Sequence, residues 1–322
     1  MKSKKSFFAI IFFSLTAFFY GAELTGFSFE PEFGFLNGTI FENVWYADIT
    51  STNTTYTYTA TTKLSRLDWQ LENAPYFGAN IQAVFNRHLV FNFSFMNAIS
   101  GPYGIMEDYD WKTVSKPDHL TNYSRHTIYL QSFTQILFNL GYSFNFNAFF
   151  PISITPAFGL NVFAFDFTGR GGYRSYEKDK WKIYYWNDDE VVIEYQQAYL
   201  CPKFALYADF DIAKFFEAFL GLGISYIDKF DAYDIHEVRN EYFNDRIEKA
   251  WAFDADLKLY FKITSQHKLG LKATVNFMGD SYGFTYYSSS GKNNYSSTPS
   301  SGTLGGTSRF LWTYGLTYIF KF

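Results

Sequence analysis

The chain has 322 residues, 27 Lys plus Arg against 31 Asp plus Glu, and a net charge of −4. Such an acidic balance excludes a nucleic-acid binder, whose affinity rests on neutralising phosphates with basic side chains. The single Cys201 excludes an internal disulfide framework, and its plain role is a small side chain packed on a strand.

Lys2, Lys4 and Lys5 open the chain, an uncharged apolar stretch follows from Phe7 to Tyr20, and Gly21-Ala22 offers a small-residue cleavage site before Glu23. The apolar part is too short for a spanning helix, so residues 1–22 read as a secretory signal peptide. Its removal takes away three Lys, leaves 24 basic against 31 acidic residues, and moves the charge from −4 to −7. No later segment is apolar enough for a membrane helix, yet aromatics make up 23%, with 40 Phe and 27 Tyr. An exported, aromatic-rich chain without helical spans fits an outer-membrane barrel, where lipid meets only alternate side chains and aromatic girdles mark the interfaces.

Residues 23–322 carry that alternation in segment after segment, with no sign of a second domain. Phe27, Phe29, Phe33 and Phe35 alternate with Ser28, Glu30 and Glu32. One phase runs through Leu67, Trp69, Leu71, Phe77, Ala79, Ile81, Ala83 and Phe85. That length exceeds the ~9–11 residues a strand needs to cross a bilayer, so the barrel is expected to project on one side. Ile152, Ile154, Phe158, Leu160 and Val162 form another set, as do Trp251 to Phe261 and Leu269 to Phe277. The last segment places Phe310, Trp312, Tyr314, Leu316, Tyr318, Phe320 and Phe322 on one face, opposite Arg309, Thr313, Gly315, Thr317 and Lys321. A soluble β-sandwich also alternates. Charge on the polar faces, as in a wet lumen, and an aromatic residue closing the final strand favour the barrel.

Short connections fall near Asn86 to His88, Asn145 to Pro151, Asp211 to Lys214 and Ser265 to His267. Long polar ones fall near Ile49 to Thr62, Gly101 to Ser124, Tyr173 to Glu190, Asp231 to Arg246 and Ser288 to Thr307. The fold expected is all-β: a ten-stranded antiparallel transmembrane barrel with five long extracellular loops. His88 and His267 fall in short turns and read as surface residues.

Two clusters in the long connections could carry chemistry: Glu107-Asp108-Tyr109-Asp110-Trp111 and Asp231-Ala232-Tyr233-Asp234-Ile235-His236. Residues two apart on an extended strand share a face, so Asp108 pairs with Asp110 and Asp234 with His236. A His oriented by an Asp can take a proton from water. Two neighbouring carboxylates repel, which raises the pKa of one and lets it donate a proton. The same spacing also suits a solvated acidic loop or a cation site. Ser124 and His126, also two apart, lack a third group in the sequence that would orient them.

At these residues the chain resembles the omptin family of outer-membrane proteases. The similarity covers nearly all of residues 23–322, carried by Leu67-Asp68-Trp69, Met106 to Trp111, Ser124-Arg125-His126, Phe167-Thr168-Gly169-Arg170-Gly171-Gly172 and Asp234-Ile235-His236, in that order and spacing. The resemblance implies a surface endopeptidase, of aspartyl type and without a cofactor or metal, acting on peptides or proteins. Its groove would open to the cell exterior. It implies that His236, oriented by Asp234, activates a water held by Asp108 and Asp110, with Ser124 and His126 as neighbours of the site.

Omptins select basic residues flanking the cleaved bond with acidic pocket residues. Glu42 matches one such acid, while Ala232 and Asn122 stand where two others are expected. That predicts a relaxed or shifted preference. The family's Tyr-x-Glu-x-Arg motif for lipopolysaccharide, counted back from Phe167-Thr168, falls on Leu160, Val162 and Ala164, so the lipid partner expected is bulk outer-membrane lipid rather than bound lipopolysaccharide. The alternatives are a catalytically silent barrel acting as an adhesin or structural protein, and a passive pore. The pore is disfavoured because ten strands leave a lumen that inward side chains largely fill.

Overall fold

The computed structural model describes residues 22–322 apart from 53, 54, 148, 293 and 301; the expected signal peptide up to residue 21 lies outside the described residues. Thirteen strands occur among the described residues: β1 (Leu24–Thr52), β2 (Thr55–Phe85), β3 (Leu89–Ala98), β4 (Gly101–Asp110), β5 (Asn122–Tyr142), β6 (Phe144–Asn147), β7 (Pro151–Tyr176), β8 (Ile183–Tyr185), β9 (Val191–Ala213), β10 (Phe216–His236), β11 (Glu241–Lys262), β12 (His267–Ser288) and β13 (Thr303–Lys321). All their pairings are antiparallel. From β1 the ladders pass through β2, then β3 and β4 end to end, then β5, β7, β9, β10, β11, β12 and β13, which pairs back with β1. The sheet therefore closes on itself. What the sequence presents as a third strand is two, broken at Ile99-Ser100, and β6 and β8 are short additions beside β7.

The period-2 pattern sets which face is inside. On β13, Phe310, Trp312, Tyr314 and Leu316 are exposed, whereas Arg309, Leu311, Thr313 and Thr317 are buried. The same holds for Trp251, Phe253 and Leu257 on β11, Leu269, Leu271 and Phe277 on β12, and Phe158 and Leu160 on β7. With Phe29 and Phe33 on β1, Phe77 on β2 and Leu200 and Phe204 on β9, these residues form an outward apolar belt. It is the part of the wall that meets hydrocarbon, making this a transmembrane β-barrel. Inside the belt the lumen is crossed by ion pairs, Lys258 with Glu30 at 2.9 Å, Lys272 with Glu32 at 2.7 Å and Lys203 with Asp254 at 2.8 Å. Cys201 is buried on β9. His88 and His267 are partly buried rather than superficial, because each ring packs on an aromatic neighbour, Tyr142 and Phe320 respectively.

The long phase through β2 does not hold. Leu67, Trp69 and Leu71 point inward and are 3%, 0% and 3% exposed, whereas Phe77 points outward. A bulge reverses the phase: Leu36 faces Ala74 but Gly38 faces Leu71. Asn73, at φ 51°, takes the left-handed turn, and its N–H donates to Asn37 Oδ1 at 2.8 Å. Beyond the bulge the interior becomes aromatic. Trp69 stacks on Phe167 and Tyr195 with centroids 5.7 and 5.8 Å apart, Phe165 lies on Phe167 at 4.8 Å, and Phe163 on Tyr199 at 5.4 Å. Arg309 covers the Phe163 ring at 4.0 Å. This layer separates the ion-paired lumen from the projecting end of the barrel.

Three expected long loops are strand over much of their length. β1 runs to Thr52 and β2 begins at Thr55; β4 runs to Asp110 and β5 begins at Asn122; β10 runs to His236 and β11 begins at Glu241. Hairpin pairing across the connection extends the ladders, a long-range gain that local polarity hides.

Candidate functional site

Asp108, Asp110, Asp234 and His236 all lie on strand ends that project beyond the belt, not in loops. On β4, Asp108 faces Leu67 of β2 and Ser124 of β5. On β10, Asp234 faces Tyr195 of β9 and Phe243 of β11. Ladders on both sides hold each backbone, so the side chains are aimed by the sheet.

His236 Nε2 donates to Asp234 Oδ2 at 2.8 Å. Arg239 Nη2 donates to His236 Nδ1. Together these contacts assign the tautomer: the proton is on Nε2 and the lone pair on Nδ1. Arg239 comes from the single 3₁₀ turn Glu237–Arg239, which closes on Asn240 at φ 53°, and its Nε also pairs with Glu241 at 3.0 Å. Asp110 accepts from Asn122 Nδ2 at 2.8 Å and pairs with Lys112 Nζ at 3.0 Å. Asp108 accepts from Ser65 Oγ at 3.4 Å. Burial first, and then the charges of Asp110 and Asp234, hold the Asp108 carboxyl well above the usual carboxylate range, against the opposing pull of Lys112 and Arg239.

Asp108 and His236 line one cavity of ≈ 310 Å³, together with Ser124, His126, Trp186 and Arg239. Ser124 Oγ donates to His126 Nε2 at 3.0 Å, and His126 Nδ1 donates to the Gly171 carbonyl at 2.6 Å. The third group absent from the sequence pattern is thus a backbone carbonyl. The double glycine presents it: Gly171 and Gly172 have φ 54° and 82°, and a Cβ on Gly172 would stand 1.9 Å from the Arg125 carbonyl oxygen. Burial pushes His126 down to about 4, with His236 adding to the effect and the Gly171 bond opposing it. A neutral His126 is a weak base with no carboxylate to stabilise its cation.

A model of the Omptin family matches residues 26–320. The chain belongs to the omptin family. Among solved structures, it is similar to the outer membrane protease OmpT from Escherichia coli, at 19% identity and a TM-score of 0.77, covering 93% of this chain and 98% of that one. A second similar structure, the outer membrane protein OprG from Pseudomonas aeruginosa, has 9% identity and a TM-score of 0.36 over 92% of this chain and 97% of that one. No curated protein sequence matches.

Behind the Asp-His pair of this omptin stand further acids. Glu42 on β1 is 1% exposed, accepts from Trp69 Nε1 at 3.4 Å, and is held well above its ordinary value by burial and then by Asp234 and Asp245. Asp245 on β11 is 4% exposed and is pushed up to about 7 by burial, with Asp234 adding and the Thr285 hydrogen bond opposing. The sequence reading passed over Asp245 and Arg239. Both sit in what looks like a polar loop, and only the β10–β11 register brings them to the site.

Proposed function

We propose that this omptin is an outer-membrane endopeptidase that cleaves peptides or proteins at the cell surface, its groove opening to the exterior. His236 Nδ1 is the base: with its proton on Nε2 given to Asp234, the ring can take a proton from a water in the shared cavity, and Asp234 stabilises the imidazolium that forms. The water attacks the peptide carbonyl. Asp108, kept protonated by its surroundings, donates to the developing oxyanion or the leaving amine, and Asp110, tied to Lys112 and Asn122, orients it. No covalent intermediate forms. The observation that carries the reading is the 2.8 Å Asp234–His236 bond on one wall of a cavity that Asp108 lines from another.

Basic preference is relaxed on the side of the bond served by Asn122, whose amide donates to Asp110 where an acid would have faced a substrate cation. The belt-level positions Leu160, Val162 and Ala164 offer no charge to lipopolysaccharide, so activity does not depend on it. The test is cleavage of a mixed peptide library by the refolded protein. His236→Ala and Asp108→Ala run beside it, with and without chelator and with and without lipopolysaccharide.

A further inference from the structure

The far wall of the catalytic cavity is built around one cation. Arg174 on β7 lies opposite Ser124 of β5, which lies opposite Asp108 of β4. On its other side Arg174 faces Tyr184 of β8. Directly opposed residues project to the same face, so Asp108, Ser124, Arg174 and Tyr184 form one row across four strands. Two strand spacings put Arg174 about 10 Å from Asp108, within reach of a side chain adjoining the bond that Asp108 serves. Both residues line the same cavity.

Three rings frame this guanidinium. Its central carbon is 5.0 Å from the Tyr176 ring, 5.4 Å from Tyr184 and 5.9 Å from Trp186. Trp186 is itself fixed: its backbone N–H donates to the Gly172 carbonyl at 3.0 Å, and its ring packs on His126 at 4.9 Å. Aromatic neighbours cover the faces of a guanidinium and leave its N–H edge for acceptors. Among the described residues nothing takes that edge, because the Arg174 guanidinium has no hydrogen-bond or ion-pair partner. Arg239, the other guanidinium lining the cavity, is by contrast paired with Glu241. Asn122, two residues from Ser124 on the same face, is a diagonal neighbour of Arg174. An acid there could neutralise the cation, but the Asn122 amide donates to Asp110 instead. Among the lining residues the one carboxyl is Asp108, which its surroundings keep protonated. The cavity is therefore cationic, and a guanidinium with a free fork of donors matches a carboxylate.

We propose that Arg174, framed by Tyr176, Tyr184 and Trp186, is a specificity residue that takes an acidic side chain of the substrate, a glutamate or aspartate near the cleaved bond on the side served by Asn122. The proposal rests on the protease reading and deepens it. On that side the preference is not only relaxed but reversed in sign.

The test takes a peptide bond that the wild type cuts and varies the two residues on either side of it in turn. Glutamate, glutamine and lysine are compared at each position in acetylated, amidated peptides, so the varied side chain is the carboxylate under test. At a position on one side of the bond, the wild type is expected to cut the glutamate peptide at least about fivefold faster in kcat/KM than the glutamine peptide, the upper end for a charge pair still in contact with water. Arg174→Gln should bring that ratio toward one. Arg174→Glu should reverse it in favour of lysine, which a merely misfolded variant would not do. Binding of a fluorescein-labelled alternating Glu-Gly decapeptide amide, against its Gln-Gly counterpart, is followed by anisotropy in His236→Ala with and without Arg174→Gln. Cleavage with a glutamate-to-glutamine ratio near one at every position, or a ratio unchanged in Arg174→Gln, overturns the Arg174 site and leaves the protease. Arg174-dependent binding of the Glu-Gly peptide, with no peptide cut by the wild type, supports the site and overturns the protease. Neither binding nor cleavage overturns both.

Discussion

Asp234 Oδ2 holds His236 Nε2 at 2.8 Å on a single strand, two residues apart, so the pair is aligned by the sheet rather than by a loop. The bond also decides which ring nitrogen can act. In Asp234→Asn the amide can offer an N–H and favour the other tautomer. The expected loss in kcat is about 10³-fold or more, with little change in KM. A small loss in steady-state peptide cleavage would show that the tautomer does not matter to the rate.

The Ser124–His126 pair is bonded as a nucleophile and base would be, yet His126 sits near 4 and is braced by a carbonyl. Ser124→Ala should lower the rate far less than His236→Ala. A serine-directed fluorophosphonate should leave no adduct by mass spectrometry. A stoichiometric adduct on Ser124 would replace the water mechanism with a covalent one.

How much of this was legible beforehand differs from place to place. The outward faces of β11, β12 and β13 are plain in the sequence because lipid accepts only apolar side chains there. Trp69 and Phe77 share one phase in the sequence yet lie on opposite faces, because a bulge at Asn73 shifts parity without changing composition. Asp108, Asp110, Asp234 and His236 could be picked out by spacing and family resemblance. Asp245 could not, since its partnership with Ala232 exists only through the β10–β11 register.

Asp245 also makes stability depend on pH. An unfolded Asp ionises near ~3.9, and in the folded protein Asp245 does so at about 7. Between those values the folded state keeps a proton that the unfolded state has lost, so stability falls as pH rises through that window. Above it both states are ionised and the full cost is present. Asp245→Asn should therefore stabilise the barrel at pH 8 by up to about 4 kcal/mol and change little at pH 4. Urea unfolding in lipid vesicles at the two pH values measures this; an equal effect at both would mean the carboxyl is not held protonated.

Arg239 donates to His236 Nδ1, the position that an attacking water needs in the proposed mechanism. Glu241 offers the guanidinium a resting place when substrate enters. Arg239→Ala should raise kcat/KM by roughly two- to tenfold, the range of removing one such charged contact. A loss of similar size or more would instead make Arg239 a stabiliser of the oxyanion.

The most direct measurement of the central claim is cleavage of a mixed peptide library by the refolded protein, read by mass spectrometry beside His236→Ala and Asp108→Ala. Cleavage that survives chelator, needs no lipopolysaccharide and vanishes in both variants is the predicted result. A folded, heat-modifiable barrel that cuts nothing, with or without lipopolysaccharide, would contradict it and leave a silent omptin barrel acting as an adhesin or structural protein.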